Sequence, residues 1–470
     1  MALSSVHQSP LKHWAQMSPD CFALQTHNKR YTWYELEREV QRYAYAMQQQ
    51  GVKTQEVVTC VGKNSAELVL IYLACLELGA ICAITMPQPQ QSLEHKLATL
   101  YRNEDTVWCW SAESLDLNHI PNGVVPLKFE SLPSPSEFEV SVYQSEQLAS
   151  IIFTSGSTGL PKAVAHTNQQ HLASANGLLQ GFAFTQQDTW LLSLPMYHVS
   201  GLAIIYRWLS VGAQLKVGGG DLLQDIAGVT HASLVATQLS RLLASPQALS
   251  LSHVLLGGSH VALSLSQQAA QRGIETWLGY GMTEAASTVT AKQIDGEYSA
   301  GKVLANRALE VRDGHIYVGG ETLASGYYTQ GDLTPLLDEQ GWFATKDLGY
   351  WLDNGELVIQ GRADNLFISG GENIHCEEIE QAINAHPEVQ QSMVIAVENA
   401  QYGARPIAFV VSEQPIESLD LPAWLDPRLE RFKNPDDYLE MPAELLSGGI
   451  KISRRELKQW VTAHSNYTVI

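Results

Sequence analysis

The sequence predicts an α/β fold: a large N-terminal domain with layers of parallel sheet and helix and a small β-rich part, followed by a small, mobile α+β domain. Three patterns support this prediction. In the first 300 residues, short apolar runs alternate with segments of helical periodicity, as in βαβ units. From Glu310 onward, stretches such as "LEVRDGHIYVGG" indicate antiparallel hairpins. A compact α+β pattern follows Arg362.

The first βαβ unit can be assigned along the chain. A helix is predicted over residues 34–50, ending at Gly51, because glycine favours the left-handed conformation of a helix C-cap. "VVTCVG" follows as a strand, residues 65–78 as a helix and "AICAI" as the next strand. Between residues 151 and 300, "LVAT", "HVLLGG" and "ETWLGYG" are predicted strands with helices between them.

Length and composition limit the classes of function. A chain of 470 residues is expected to form about two to four domains, and the pattern change places a boundary near residue 362. Hydrophobic residues make up 45% and charged residues 17%, as in a well-packed globular protein. The formal net charge of −20 argues against nucleic-acid binding, since no basic stripe is present. Binding of a polyanion such as ATP would depend on a few well-placed cations and backbone N–H groups.

The sequence predicts a cytoplasmic protein. Its N-terminal stretch lacks a signal-peptide core, and the longest apolar run is interrupted by Glu67 and Glu77, so no membrane span is expected. The six cysteines show no metal-ligand spacing and are expected to be reduced thiols. The sequence leaves open whether the chain forms a homo-oligomer.

The stretch "IIFTSGSTGLPKAVAHT" (151–167) is a candidate phosphate-binding loop. It is not a Walker A loop, because Pro161 stands where the second glycine is required and Ala163 where the hydroxyl residue is required. What remains is a strand that leads into a loop of hydroxyl residues and glycines, which can surround a polyphosphate with N–H and O–H donors. Without further motifs, the loop is equally well explained as a flexible turn.

Five stretches, in order along the chain, resemble motifs of the acyl-adenylate-forming superfamily, which comprises acyl-CoA synthetases, adenylation domains and luciferases. They are "TSGSTGLPK" (154–162), "LGYGMTEAAS" (278–287), "WFATKDLGYW" (342–351), "GRADNLFISGGENIHCEEIE" (361–380) and "GGIKISRREL" (448–457). Lys346 and Ile450 stand where glycine is usual, and Cys376 where proline is usual. The resemblance implies an ATP- and acyl-binding domain over 1–361 and a mobile lid over 362–470. It also implies activation of an acid by ATP, with CoA as the acceptor.

The resemblance implies a role in nucleotide binding for each matching residue. The residues implied to bind ATP are Thr154, Ser155, Gly156, Ser157, Thr158, Gly159, Lys162, Gly258, Tyr280, Gly281, Asp347 and Arg362. Tyr280 would stack on adenine, while Asp347 and Arg362 would hold the ribose. Glu284 would ligate Mg²⁺, which prefers carboxylate and phosphate oxygens, and Thr283 would contact the α-phosphate. Without the motifs, Glu284 would be a helix-capping carboxylate and Asp347 an ordinary turn residue.

Lys451 is the residue implied to stabilise the negative charge that builds up when a carboxylate attacks the α-phosphate. The implied catalytic set is Lys451, Thr283, Glu284 and His198. Rotation of the lid about Asp364 would then bring Gly370 and Gly371 beside the CoA thiol channel, although the two glycines are equally well explained as a simple turn. The other charges near these motifs are expected to be solvated: Lys346, Arg454, Arg455 and Lys458.

The acid is indicated by Arg207, the only charged residue within "GLAIIYRWLSVG". A buried guanidinium needs an anionic partner, which an acid with a second carboxylate would supply. Several stretches resemble the branch of the superfamily whose substrate is o-succinylbenzoate, an aromatic keto-dicarboxylic acid of bacterial menaquinone biosynthesis. The residues expected to contact the acid are His198, Arg207, Ser259, Ser287 and Thr288. Alternatively, Arg207 reaches the surface or pairs with a protein acid, and His198 is structural.

Three other functions remain open at this point. Another aryl- or acyl-CoA ligase would differ only around His198 and Arg207. An adenylation module would pass its acyl group to a carrier protein, but no carrier domain follows Lys451 in this sequence. A non-catalytic nucleotide-binding homologue would be expected to have lost Glu284, Asp347 or Lys451.

Overall fold

The alternating pattern of the sequence folds into two large sheets with helices packed on and between them. A computed structural model of the chain describes residues 8–112, 123–130, 132, 140, 142–154, 161–257, 261–446 and 453–470. The helices are α1 (Pro10–Met17), α2 (Trp33–Gln50), α3 (Ala66–Leu78), α4 (Gln90–Leu100), α5 (Asn168–Leu179), α6 (Val199–Val211), α7 (Leu222–Asp225), α8 (Ala236–Ala244), α9 (Leu263–Gln271), α10 (Cys376–Asn384), α11 (Leu421–Leu425), α12 (Ala443–Leu446) and α13 (Arg454–His464).

The strands are numbered in the same way. They are β1 (Phe22–Gln25), β2 (Arg30–Thr32), β3 (Val57–Val61), β4 (Ile81–Thr85), β5 (Val107–Ser111), β6 (Val124–Pro126), β7 (Leu148–Thr154), β8 (Lys162–Thr167), β9 (Thr189–Leu191), β10 (Gln214–Lys216), β11 (His231–Leu234), β12 (His253–Gly257), β13 (Glu275–Met282), β14 (Ser287–Gln293), β15 (Lys302–Val303), β16 (Arg307–Arg312), β17 (His315–Gly320), β18 (Gly326–Thr329), β19 (Asp332–Thr334), β20 (Phe343–Trp351), β21 (Leu357–Arg362), β22 (Leu366–Ser369), β23 (Glu372–His375), β24 (Val389–Asn399), β25 (Gly403–Ser412) and β26 (Asp437–Glu440).

The two large sheets are parallel in the middle and antiparallel at one or both edges. The nine-stranded sheet has the order β15-β14-β13-β12-β11-β9-β10-β1-β2, and its strands from β13 to β1 are parallel. The eight-stranded sheet has the order β19-β18-β8-β7-β4-β3-β5-β6, with β7 to β6 parallel. Helix α3 is apolar on every side and buried over Leu68–Leu78, as expected for a helix enclosed between packed layers.

Smaller antiparallel units follow the two large sheets. Strands β16, β17, β20 and β21 form a four-stranded sheet, and the turn between β16 and β17 places Asp313 and Gly314 at positive φ, as in a type I′ hairpin. Beyond Arg362, the hairpin β22–β23 precedes the sheet β24-β25-β26, against which α10 and α13 pack. The predicted α/β class with a β-rich part and a C-terminal α+β unit is therefore confirmed.

Most of the predicted elements are present, with one error of boundary. Helix α2 ends at Gly51, whose φ is 109°, and α3 begins after the capping residue Ser65. The predicted strand "LVAT" (234–237) is correct only at its first residue, because β11 ends at Leu234 and helix α8 begins at Ala236. None of the helices in the described ranges combines the length and apolar character that crossing a membrane requires.

We expect Gly177 in α5 to be required for packing. A Cβ at this position would lie 2.0 Å from Nη1 of Arg307 and 2.2 Å from the carbonyl oxygen of Ala305. Gly177→Ala should therefore lower the free energy of unfolding by about 2 kcal/mol or more, the effect of overpacking a core, measured by urea denaturation. Gly181→Ala is the matched control, since its Cβ would approach only the ring of Trp277, at 3.6 Å. Equal stability of the two variants would contradict this prediction.

Candidate active site

A turn at the end of β13 is the centre of the candidate site. The chain passes through a 3-10 helix, Thr283–Ala285, and then reverses into antiparallel β14. The reversal requires positive φ at two non-glycine residues, Ala286 (49°) and Ser287 (101°). Gly281 leaves room for it, because a Cβ there would lie 1.9 Å from the carbonyl oxygen of Ser287. The motif "YGMTEAAS" therefore contains a tight reversal that any residue with a side chain at Gly281 would disrupt.

Groups from three other segments hold the backbone of this turn. Nε2 of the buried His166 donates to the carbonyl of Thr283 at 2.8 Å, which fixes the tautomer of the ring. Burial lowers the pKa of His166 to about 4, so the ring is neutral at physiological pH. Ser174 Oγ donates to the carbonyl of Ala286 at 2.6 Å, and the N–H of Ala324 donates to the carbonyl of Glu284 at 2.8 Å. The position of Glu284 is thus set by both large sheets.

Glu284 is suited to bind a divalent cation. Its Oε1 accepts a hydrogen bond from the Tyr327 hydroxyl at 3.2 Å, and the residue is partly exposed. No Lys, Arg or His of the described ranges lies within 4.0 Å of its carboxylate. A carboxylate that is not neutralised and remains open on one side is a suitable ligand for Mg²⁺.

The predicted phosphate loop connects two paired strands. Thr154 ends β7, Lys162 begins β8, and the two residues are direct partners in the sheet. The ammonium of Lys162 lies 4.5 Å from the centre of the Tyr327 ring, in a cation–π contact. Several predicted residues lie outside the described ranges, and their roles stay predictions: Ser155, Gly156, Ser157, Thr158, Gly159, Gly258, Ser259 and Lys451.

The predicted ribose site is a connected set of polar groups. The Tyr280 hydroxyl donates to Oδ2 of Asp347 at 2.5 Å, and Arg362 Nη1 donates to Oδ1 at 3.3 Å. Burial raises the pKa of Asp347, although the Tyr280 hydrogen bond and the Arg362 charge oppose that shift. Lys346 has φ of 65°, which accounts for the glycine usual at this position of the motif. The structure brings Tyr280, Asp347 and Arg362 together, as expected for a common ligand.

Arg207 is buried, and none of the carboxylates in the described residues pairs with it. Its side chain lies on α6, the residue is 2% exposed, and the guanidinium lies 5.3 Å from the ring of Trp190. Its hydrogen bonds are long ones to hydroxyls, 3.4 Å to Ser233 and 3.3 Å to Thr288, and Nε has no hydrogen-bond partner among the residues that the structure describes. Burial, with a smaller effect from Arg307, lowers the pKa of Arg207 to about 9. The group is therefore still a cation at neutral pH, and no carboxylate in the described ranges lies within 4.0 Å of it.

The other described residues that were predicted to contact the acid do not all lie near Arg207. Ser287 and Thr288 are buried, and Thr288 contacts Arg207 directly. His198 is exposed at the N-terminal boundary of α6, with its ring 4.9 Å from that of Tyr197. At 1.5 Å per residue, about 13 Å of helix axis separates His198 from Arg207. The structure brings Arg207 and Thr288 together but leaves His198 at the other end of the helix.

The predicted hinge lies next to the ribose site. Asp364 belongs to a 3-10 helix, Ala363–Asn365, and accepts two hydrogen bonds from Arg362, at 2.8 and 3.1 Å. These bonds lower the pKa of Asp364. Gly370 and Gly371 connect β22 to β23 with φ of 60° and 97°, as in a two-residue type I′ turn. The turn explains both glycines structurally, and their role at a CoA channel stays a prediction.

The expectation that Arg454 is a solvated charge is wrong. Its side chain is 17% exposed and forms ion pairs with Glu377, at 3.1 Å, and with Glu380 on α10. Although burial disfavours the charged form, the two carboxylates raise the pKa of Arg454 above its ordinary value. The signal was present in the sequence, because Arg454 shares one face of α13 with the buried Leu457 and Val461. Cys376, which stands where proline is usual, is buried at the start of α10, and burial raises the pKa of its thiol to about 12.

Sequence reasoning missed four residues that support the site: His166, Ser174, Arg307 and Tyr327. Their partners lie far away in the chain, as in the bond between Tyr327 and Glu284. No local pattern indicates such pairings. Only the placement of His166 directly after the apolar run Ala163–Ala165 of β8 was a signal of a buried polar contact.

Comparison with known families identifies two segments. Residues 11–328 match the model of AMP-binding enzymes, and residues 378–447 match that of the AMP-binding enzyme C-terminal domain. Curated relatives include 2-succinylbenzoate–CoA ligase of Salmonella typhimurium, 42% identical over 96% of this chain and 97% of the relative. The enzyme of the same name from Escherichia coli is 40% identical over 96% of this chain and 98% of the relative.

Solved structures show the same similarity. A variant of E. coli MenE with bound OSB-AMS has a TM-score of 0.88 and 37% identity, covering 98% of this chain and 99% of that one. The o-succinylbenzoate CoA synthetase of Bacillus subtilis in complex with the acyl-adenylate intermediate OSB-AMP has a TM-score of 0.83 and 27% identity, covering 97% and 99%. Its complex with ATP and magnesium ion has a TM-score of 0.81 and 26% identity, covering 92% and 95%.

We expect Arg454→Ala to destabilise the C-terminal unit. The substitution leaves Glu377 and Glu380 without their shared cation, and breaking such a buried pair costs about 3 kcal/mol. Arg455→Ala is the matched control, because it removes the same charge from the exposed neighbouring position. Urea denaturation followed by circular dichroism measures both variants. If Arg454→Ala unfolds at the same urea concentration as Arg455→Ala, the ion pairs contribute nothing to stability.

Proposed function

Because this chain belongs to the AMP-binding enzyme family, we propose that it is an AMP-forming acid–thiol ligase that acts on o-succinylbenzoate. It adenylates the succinyl carboxylate with ATP and then transfers the acyl group to CoA. The products are o-succinylbenzoyl-CoA, AMP and pyrophosphate, in menaquinone biosynthesis. The proposal is supported by the relatives named 2-succinylbenzoate–CoA ligase, which match nearly the whole chain, and by their complexes with OSB-AMP and OSB-AMS.

The single observation that supports o-succinylbenzoate as the substrate is the buried guanidinium of Arg207. A cation in an apolar layer is costly unless an anion accompanies it. Among the described residues, the partners of Arg207 are two hydroxyls at long hydrogen-bond distance and the ring of Trp190. The ring carboxylate of o-succinylbenzoate would supply that anion, since only the succinyl carboxylate is consumed in the reaction. Thr288 and Ser287 would add hydroxyl contacts, while His198 would contact the acid nearer the reacting end, at the opposite end of α6.

The nucleotide would lie against the turn that follows β13. Tyr280 would contact adenine, Asp347 and Arg362 would hold the ribose hydroxyls, and Thr283 would contact the α-phosphate. Mg²⁺ fits the carboxylate of Glu284, which no described cation neutralises, and the ion would supply charge neutralisation at the phosphates. Lys162 and Thr154 frame the loop that would hold the β- and γ-phosphates.

The first half-reaction requires no general base. A carboxylate oxygen of the acid attacks the α-phosphorus, the bond from that phosphorus to the α,β-bridging oxygen breaks, and pyrophosphate leaves. Lys451 would stabilise the negative charge of that transition state. In the second half-reaction, the CoA sulfur attacks the acyl carbon, the bond to the AMP oxygen breaks, and the thiol proton passes to solvent.

The two half-reactions place opposite demands on the site, which is why we propose two domains. Adenylation needs Lys451 in the site and water outside it, whereas thioester formation needs an entry path for CoA. The proposed division is 1–361 for the ATP- and acyl-binding domain and 362–470 for the lid. Asp364 would be the hinge, and Gly370 and Gly371 would lie beside the CoA channel after rotation.

We also propose a cytoplasmic location, where ATP and CoA are available. None of the six cysteines forms a disulfide, and Cys60 and Cys82 remain thiols although their sulfurs are 3.7 Å apart.

Pyrophosphate release with MgATP and CoA tests the proposed activity. The acids to compare are o-succinylbenzoate, 3-benzoylpropionate, which lacks the ring carboxylate, and a medium-chain fatty acid. We expect strong preference for o-succinylbenzoate and a CoA thioester of the corresponding mass. Preference for a monocarboxylate would keep the reaction type but exclude this substrate, in favour of another aryl- or acyl-CoA ligase.

Arg207→Ala tests how the substrate is recognised. We expect kcat/KM for o-succinylbenzoate to fall roughly 30-fold or more, because the ring carboxylate loses a desolvated partner. This corresponds to a loss of about 2 kcal/mol of transition-state stabilisation. The KM for ATP should remain unchanged, and kcat/KM for 3-benzoylpropionate should be nearly the same as for the wild type. Equal loss with both acids would show that Arg207 is structural, and Arg207→Lys, which keeps the charge, should recover part of the activity.

A further inference from the structure

Tyr327 stands between two charged residues of opposite sign. Its hydroxyl donates to Oε1 of Glu284 at 3.2 Å, and the face of its ring lies 4.5 Å from the ammonium of Lys162. The two charges are not in contact with each other, since no ion pair joins them within 4.0 Å. Tyr327 thus contacts both charged groups, the carboxylate through its hydroxyl and the ammonium through the face of its ring.

Strand pairing on both sides holds Tyr327 in this place. It lies on β18, where it is the register partner of Val164 in β8 and of Thr334 in β19. Lys162 begins the same strand β8, so the backbone fixes the spacing between the lysine and the tyrosine. Glu284 is fixed by its own backbone bond from Ala324, close to β18 in the chain. The backbone of each of the three residues is therefore held by strand pairing or by a backbone hydrogen bond.

A direct ion pair between Lys162 and Glu284 would disable both. Opposite charges at contact distance attract each other strongly where water is partly excluded. A lysine paired in this way would not be available to phosphate oxygens, and a glutamate paired in this way would not be available to Mg²⁺. A phenol prevents this by offering each charge a separate favourable partner, the hydroxyl for the carboxylate and the π face for the ammonium.

We infer that Tyr327 is a positioning residue whose ring keeps Lys162 and Glu284 apart, so that both remain available to MgATP. This inference rests on the proposed function, because it assumes that Lys162 and Glu284 bind the nucleotide and its metal ion. The part of Tyr327 that we expect to matter is the ring rather than the hydroxyl, since the ring alone would block the direct approach of the two charges.

Calorimetric titration of the full chain with MgATP, without any acid or CoA, tests the inference. Tyr327→Leu should weaken binding at least tenfold, because the lysine can then reach the glutamate. Tyr327→Phe keeps the ring and should stay within threefold of the wild type. Tyr328→Phe is the matched control, because it removes a hydroxyl from the next residue of β18. The side chain of Tyr328 is buried in an apolar cluster that includes neither Lys162 nor Glu284. Its affinity should be unchanged.

The same substitution made in a Lys162→Met variant shows whether Tyr327 acts by keeping the two charges apart or only by packing. In Lys162→Met, no ammonium is present to pair with Glu284, so adding Tyr327→Leu should weaken MgATP binding less than threefold. Equal losses in both backgrounds would overturn the inference, because Tyr327 would then act through packing alone. A tenfold loss in Tyr327→Phe would also overturn it, because the hydroxyl would then be the important group. These titrations measure MgATP binding without any acid. Their outcome is therefore independent of whether o-succinylbenzoate is the substrate.

Discussion

The reversal between β13 and β14 is the constraint on which the candidate site depends. A parallel strand must stop, form a 3-10 helix and return antiparallel, with two non-glycine residues at positive φ. Such strain persists only where surrounding groups hold the backbone. Here the carbonyls of the turn are bound by His166 from β8, Ser174 from α5 and the N–H of Ala324, which precedes β18. The backbone that carries Glu284 is thereby attached to both large sheets.

The same arrangement explains why residues distant in sequence meet. Thr154 lies at the carboxyl end of the parallel strand β7, and Tyr280 lies near the carboxyl end of β13. Ligands of open α/β sheets bind outside such ends. Asp347 comes from the separate four-stranded sheet and reaches Tyr280 by a hydrogen bond of 2.5 Å. The site is therefore assembled where three sheets meet, and each contributes groups whose positions are fixed by strand pairing.

The fold class and the site motifs could be predicted from the sequence because each depends on local patterns. The largely apolar α3 between capping residues Ser65 and Gly79 is one example, and the hydroxyl- and glycine-rich sequence after β7 is another. The contacts of Tyr327 and of Arg454 could not be predicted as readily, because they join residues that only the tertiary fold brings together. Periodicity shows that a face of α13 is buried, but not which carboxylates will meet it.

Three buried or largely buried arginines differ in how the described part of the chain satisfies their donors. Arg454 is saturated by two carboxylates, and Arg307 by five hydrogen bonds, to backbone carbonyls and the Ser174 hydroxyl. Both therefore have their donors satisfied by the chain itself. Arg207 is more deeply buried than either, yet within the described part of the chain it has two long bonds to hydroxyls, a cation–π contact with Trp190 and no hydrogen-bond partner for Nε. Since a buried charge must be compensated, this incomplete compensation is the observation on which the proposed role of Arg207 in binding the acid rests.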